Sequence, residues 1–186
     1  MSENIYSEAE RHAILNFIRA TISAKLNNLT PPQLPELGDK LDQQGSCFVT
    51  LHSATGILRG CIGNIAAYEP LGDNITHNAV NAALNDPRFP ALTAIELDSV
   101  VIEISILTPM EAITSIDDFK VGKHGIVLLC NGRSSVFLPQ VAPEQGWDKA
   151  TTLAHLSLKA GLAQNAWQSE AASFQVFEAI VFSEHE

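Results

Sequence analysis

Two hydrophobic periods alternate along the chain. Ile14, Ile18, Ile22 and Leu26 recur every four residues, with Phe17 beside them, and form the apolar stripe of a helix predicted over residues 7–28. Ser7 and Glu10 open that helix as an S-x-x-E capping box, in which the two side chains satisfy unpaired N–H groups of the first turn. A second stripe of Ile75, Ala79, Ala82 and Ala83 marks a helix in "PLGDNITHNAVNAALNDP", ended by Pro87. A third helix, "DKATTLAHLSLKAG", turns Leu153, Leu156 and Ala160 inward and carries Gly161 at its C-terminal cap.

Between the helices the period falls to two. In "SVVIEISILTP", Val100, Ile102, Ile104 and Ile106 alternate with Val101, Glu103, Ser105 and Leu107 before Pro109 closes the strand. "SCFVTLH" and "GILRGCIG" read as two strands of a hairpin joined by "SATG". "GIVLLCNGRSSVFLPQV" is a second hairpin, centred on Asn131-Gly132, whose residues tolerate the positive φ of a tight turn. "SFQVFEAIVFSE" reads as one last strand, and the proline-rich "NNLTPPQLPELGDK" as an extended connection. There is no internal repeat. Helices and hairpins follow one another without βαβ alternation, which predicts an α+β fold of mixed or antiparallel sheets with flanking helices.

Composition narrows the classes. With 46% hydrophobic and 17% charged residues, the 186-residue chain can bury a sizeable core and is not disordered. A formal net charge of −10 excludes general binding to nucleic-acid backbones, which needs clustered Lys and Arg, but leaves room for a local basic pocket. No apolar run approaches the roughly 20 residues of a membrane span. The acidic start "MSENIYSEAERHAIL" lacks the basic and apolar regions of a secretory signal. Cys47, Cys61 and Cys130 are odd in number and widely spaced, as expected of reduced thiols in a cytoplasmic protein.

The sequence carries no phosphate-binding G-x-x-x-x-G-K-[ST], no G-x-G-x-x-G after a strand, no H-E-x-x-H and no G-x-S-x-G. His12, His52, His77, His124, His155 and His185 are scattered, and none stands at ligand spacing from another His or Cys, so no metal site is predicted.

The first hairpin is the most informative stretch. Flanking the turn with His52 and Ile57 sets Leu51 opposite Leu58, Val49 opposite Gly60 and Phe48 opposite Cys61. Leu51, Val49, Leu58 and Ile62 then share an apolar face, and Thr50, His52, Arg59 and Cys61 share the other. A guanidinium near a thiol favours the nucleophilic thiolate, and Gly60 and Gly63 clear space for a ligand or another backbone. The alternative is a structural cysteine between glycines that permit tight packing. Cys47 and Cys130, inside apolar runs, read as structural. Asp86 and Arg88 sit on the proline-bounded loop "NDPRFPAL", where Arg88 can pair with Asp86 or bind an anion. In "VGKHGI", Lys123 and His124 suit the wall of a polar site, His124 being placed by its ordinary pKa for general acid–base work. Gln140 follows a strand-breaking proline, and Trp147 reads as a packing anchor.

In order and spacing, "FVTL", "LRGCIG", "DPRFPAL", "IEISILTP", "VGKHGI", "LPQVAPEQGW" and "LKAGL" resemble the AMMECR domain family over roughly residues 8–184. Its bacterial and archaeal members are called AmmeMemoRadiSam system protein A, after their association with Memo-like and radical-SAM proteins. The resemblance implies one AMMECR domain over residues 1–186, built as two unequal subdomains with "LRGCIG" facing a cleft between them. It implies that no activity is firmly established for the family, and the cofactor is unknown. Arg59, Gly60, Cys61, Ile62 and Gly63 carry over as the signature, while Asp86, Arg88, Lys123, His124, Gly125, Pro139, Gln140 and Trp147 match less exclusive motif positions. Ser157 replaces a cysteine that many relatives carry before "KAGL", which argues against a metal site or disulfide requiring that thiol. Two functions follow as expectations. One is an enzyme or enzyme subunit acting on a small or nucleotide-like anionic substrate. In it Cys61 and His124 are catalytic, and Arg59, Gly60, Gly63, Arg88, Lys123 and Gln140 bind substrate. The other is a non-catalytic adaptor that uses the same surface to recognise a peptide, nucleotide or partner protein.

Overall fold

A computed structural model describes residues 5–184, so His185 lies outside the described residues. The apolar stripes become helices where their caps say they should. Helix α1 (Glu8–Leu26) opens on the Ser7/Glu10 capping box and buries Ile14, Ile18 and Ile22 completely. Helix α2 (Leu71–Leu84) buries Ile75, Ala79, Ala82 and Ala83. Helix α5 (Lys149–Lys159) starts on the Asp148 side chain and buries Leu153 and Leu156. Two short helices, α3 (Ala94–Leu97) and α4 (Val141–Gln145), lack enough turns to leave a periodic signature.

The chain divides into two compact units, one of residues 5–107 and 180–184, the other of 108–179. The first unit holds a sheet of strand order β2-β1-β4-β9, from β1 (Gln44–His52), β2 (Leu58–Gly63), β4 (Val101–Leu107) and β9 (Ala179–Ser183). A two-residue strand β3 (Glu69–Pro70) pairs with the start of β1. Alternation puts Cys47, Val49 and Leu51 of β1 with Ile102, Ile104 and Ile106 of β4 in one core, shared with the stripes of α1 and α2. Arg19 of α1 ties this unit together by donating to Glu184 and to the carbonyls of Leu97 and Val100.

The second unit has its own antiparallel sheet in the order β5-β8-β6-β7, from β5 (Glu111–Ile113), β6 (Gly125–Cys130), β7 (Arg133–Phe137) and β8 (Ala172–Phe177). Its hairpin turns at Asn131 (φ 51°) and Gly132 (φ 73°), the conformation that Asn-Gly favours. Its core gathers Ile126, Leu128 and Val176 against Leu153 and Leu156 of α5. Trp147 stacks on His155 at 4.1 Å between ring centroids and lies beside Phe137, a packing role.

One predicted strand is two. "SFQVFEAIVFSE" breaks at Glu178: β8 serves the second sheet and β9 the first. Hydrogen bonds from Thr108 to Glu178 and from Glu184 to Ile102 show β9 running antiparallel to β4. Among the described residues no helix is long and apolar enough to cross a membrane.

Candidate functional site

The expected hairpin forms with a register two residues away from the predicted one. Thr50 stands opposite Cys61, Leu51 opposite Gly60 and Val49 opposite Ile62. A shift of two preserves side-chain parity, so Thr50 and Cys61 share a face away from Val49 and Ile62. Toward the turn the pairing skips: Gly60 faces Leu51 but Leu58 faces His52, which leaves Arg59 as the unpaired residue of a β-bulge. The strict alternation that placed Arg59 beside Cys61 is broken at Arg59 itself.

Its guanidinium turns to the loop after α2. Arg59 donates to the Glu96 carboxylate at 3.2–3.4 Å and to the Pro90 carbonyl at 2.9 Å. Glu96 also accepts the N–H and hydroxyl of Thr93 in the α3 capping box, and those bonds first, then Arg59, hold its carboxyl below the usual carboxylate range. The glycines are filled from within the protein. A Cβ on Gly60 would overlap the Ala82 carbonyl of α2, and one on Gly63 would overlap the Phe48 ring. Both give closeness to protein atoms, not space for a ligand.

The cation beside Cys61 is Arg88. Strand β2 lies at the sheet edge, and the backbone of Cys61 points outward: its N–H donates to Asp86 Oδ2 at 2.9 Å, and its carbonyl accepts from Arg88 Nη2 at 3.0 Å. Thr50 and Cys61 are therefore a non-hydrogen-bonded pair, the type whose side chains approach more closely, and Thr50 Oγ1 donates to Cys61 Sγ at 3.3 Å. Asp86 is buried, with a side chain 2% exposed, and takes Arg88 Nη2 at 2.7 Å, Arg88 Nε at 3.0 Å and the Arg88 N–H at 3.1 Å. The Arg88 guanidinium, aided by the two backbone N–H groups, holds the Asp86 carboxyl well below the usual carboxylate range against the opposing effect of burial. Arg88 is raised in turn, chiefly by Asp86 and also by the Cys61 thiol, while 54% of its side chain stays exposed.

The row continues into the sheet. Thr50 is also opposite Glu103 of β4, so Cys61, Thr50 and Glu103 lie side by side on three neighbouring strands. His52 Nε2 stands 3.9 Å from Glu103 Oε1. Glu103 enters the sequence pattern only as a polar alternate of its strand, although a lone carboxylate inside "VVIEISIL" is the signal of a site. Also missed was a buried amide cluster around Cys47: Asn74 accepts its N–H, and Asn78 donates to its carbonyl. Burial pushes the Cys47 thiol up to about 12, only partly offset by Asn78, as befits a structural cysteine. Cys130 is likewise buried, and all three thiols are free.

Lys123, His124 and Gln140 belong to the second unit. Lys123 Nζ and His124 Nε2 lie 3.2 and 4.0 Å from Glu178 Oε1, and His124 Nδ1 accepts the Lys120 N–H. Gln140 is exposed at the N-terminus of α4 and makes no side-chain cap. Among the described residues no three His, Cys, Asp or Glu side chains gather as a metal site.

Comparison with known proteins agrees with this architecture. Protein MJ0810 of Methanocaldococcus jannaschii is 41% identical over 152 residues, covering 78% of this chain and 76% of its own. Protein Mbar_A1807 of Methanosarcina barkeri is 37% identical over 189 residues, covering 97% and 93%. The crystal structure of uncharacterized protein PH0010 from Pyrococcus horikoshii superposes with a TM-score of 0.77 at 32% identity, over 92% of this chain and 89% of that one. The AMMECR1 family profile matches residues 15–182, and the chain belongs to the AMMECR1 family.

Proposed function

We propose that the protein is an enzyme, or a subunit of one, that uses Cys61 on a small or nucleotide-like anionic substrate at the polar face of the first sheet. The observation that carries this reading is the row Cys61–Thr50–Glu103 with His52 beside it. Cys61 Sγ attacks an electrophilic carbon, the leaving group departs with its bonding electrons, and the thiol proton passes through water to the His52–Glu103 pair. Arg88, half exposed, meets the anionic group of the substrate. Arg59, already held by Glu96, shapes the strand. His52 takes the proton-moving role within this unit; in the second unit His124 and Lys123 face Glu178. Memo-like and radical-SAM proteins are the proposed partners on the family resemblance alone, and a cytoplasmic setting fits three free thiols.

The adaptor reading draws on different observations: Gly60 and Gly63 abut protein atoms and Arg59 is satisfied internally, as in a motif that keeps a surface in shape. Alkylation by iodoacetamide at neutral pH decides between them. The enzyme reading expects Cys61 to react faster in the folded protein than in the urea-unfolded chain, and far ahead of Cys47 and Cys130. Slower reaction in the folded state, with Cys61→Ser retaining function in cells, overturns it in favour of the adaptor.

A further inference from the structure

We infer that Asp86 is a positioning residue that aims Arg88 at the Cys61 thiol, and that the site therefore selects carboxylate- or phosphate-bearing electrophiles. This rests on the proposed nucleophilic role of Cys61. The carboxylate of Asp86 is buried, and it grips Nε and Nη2 of Arg88 while accepting the Cys61 N–H. The same Nη2 reaches the Cys61 carbonyl, so Asp86, Arg88 and the Cys61 peptide groups close a hydrogen-bonded ring on the backbone of the nucleophilic residue at the sheet edge. Two-point attachment fixes the plane of a guanidinium as a single contact does not. The remaining exposed part of Arg88 then presents positive charge at the Cys61 backbone, one residue's reach from the thiol.

The ring has a chemical consequence. The amide N–H of a nucleophilic residue is a ready donor to the oxyanion of acyl transfer. Here that N–H is taken by an ionised carboxylate, which would repel such an oxyanion. The arrangement suits attack at a carbon that develops no oxyanion next to Cys61, on a substrate whose anionic group lies against Arg88.

Iodoacetate and iodoacetamide are the minimal probes, since both form the same C–S bond and expel iodide, and only the first carries a negative charge. The readout is the ratio of their rates at Cys61, followed by mass spectrometry of the labelled peptide. Arg88→Ala is expected to lower the iodoacetate/iodoacetamide ratio about fivefold, the size of a single charge interaction at close range in water. In an Asp86→Asn background the same change is expected to lower it less than about twofold, because Arg88 is no longer aimed. Arg88→Lys, which keeps the charge but loses the two-point grip, is expected to lower the ratio nearly as far as Arg88→Ala. It carries the test should Asp86→Asn fail to fold. An equal fall in both backgrounds, or a wild-type ratio retained by Arg88→Lys, overturns the positioning role while Cys61 remains a nucleophile. A wild-type Cys61 no faster in the folded than in the unfolded chain overturns the nucleophile and the positioning role together.

Discussion

At Gly60 one hydrogen atom separates a packed structure from a clash. The strand passes so close to α2 that a methyl group would overlap the Ala82 carbonyl, a backbone atom held by its helix. Gly60→Ala is expected to destabilise the protein by about 1–3 kcal/mol, the usual cost of overpacking, and to shift the urea midpoint accordingly. An unchanged midpoint would mean that helix and strand part easily. The thiol next to it was legible in the sequence because face assignment depends only on parity: Thr50 and Cys61 share a face under either register. The cation was not legible. Arg59 is close along the strand and Arg88 is 27 residues away, yet the bulge sends Arg59 to Glu96 and the loop returns Arg88 to the Cys61 carbonyl. Nothing in the local pattern of "LRGCIG" encodes a partner brought in from the other end of α2.

At the scale of elements, caps and stripes translated directly into structure. The Ser7/Glu10 box is present, and Glu10 also accepts a hydrogen bond from Lys40 of the proline-rich connection. Lys40 first, then the Ser7 N–H and hydroxyl, lower the Glu10 carboxyl to about 2. A depressed carboxyl contributes stability that is complete above its ordinary value and lost as pH falls through the folded one. Glu10 is thus expected to contribute to a decline in the thermal midpoint between about pH 4.5 and 2. Glu10→Gln should lower the midpoint at neutral pH and flatten that decline, as read by circular dichroism across the pH series. Parallel curves for the two proteins would show that the Lys40 contact is immaterial. Element boundaries were less legible where a strand changes sheets. Through "SFQVFEAIVFSE" the apolar pattern runs on without a glycine or proline, because each half meets a core of its own. Only the pairing partners, which are tertiary, reveal the break at Glu178.

At the scale of the whole chain, the second unit is an insertion between two hydrogen-bonded neighbours of the first sheet. β4 ends at Leu107 and β9 follows Glu178, and the Thr108–Glu178 hydrogen bond brings the two ends of the insertion together. Each unit has its own hydrophobic cluster, so the first does not draw its main core from residues 109–177. Adjacent antiparallel ends are the geometry that a two-residue Asn-Gly turn closes. Replacing residues 109–177 by Asn-Gly is therefore expected to give a β4–β9 hairpin and a folded first unit with a single cooperative urea transition. The Asp86–Arg88 ring and the Cys61–Thr50–Glu103 row belong wholly to that unit, so the shortened protein is also expected to keep the wild-type ratio of iodoacetate to iodoacetamide labelling at Cys61. A cooperative fold with an altered ratio would locate part of the thiol's charge environment in the inserted unit. Failure to fold would show that the first core, although complete in its contacts, depends on the insertion to hold β9 against β4.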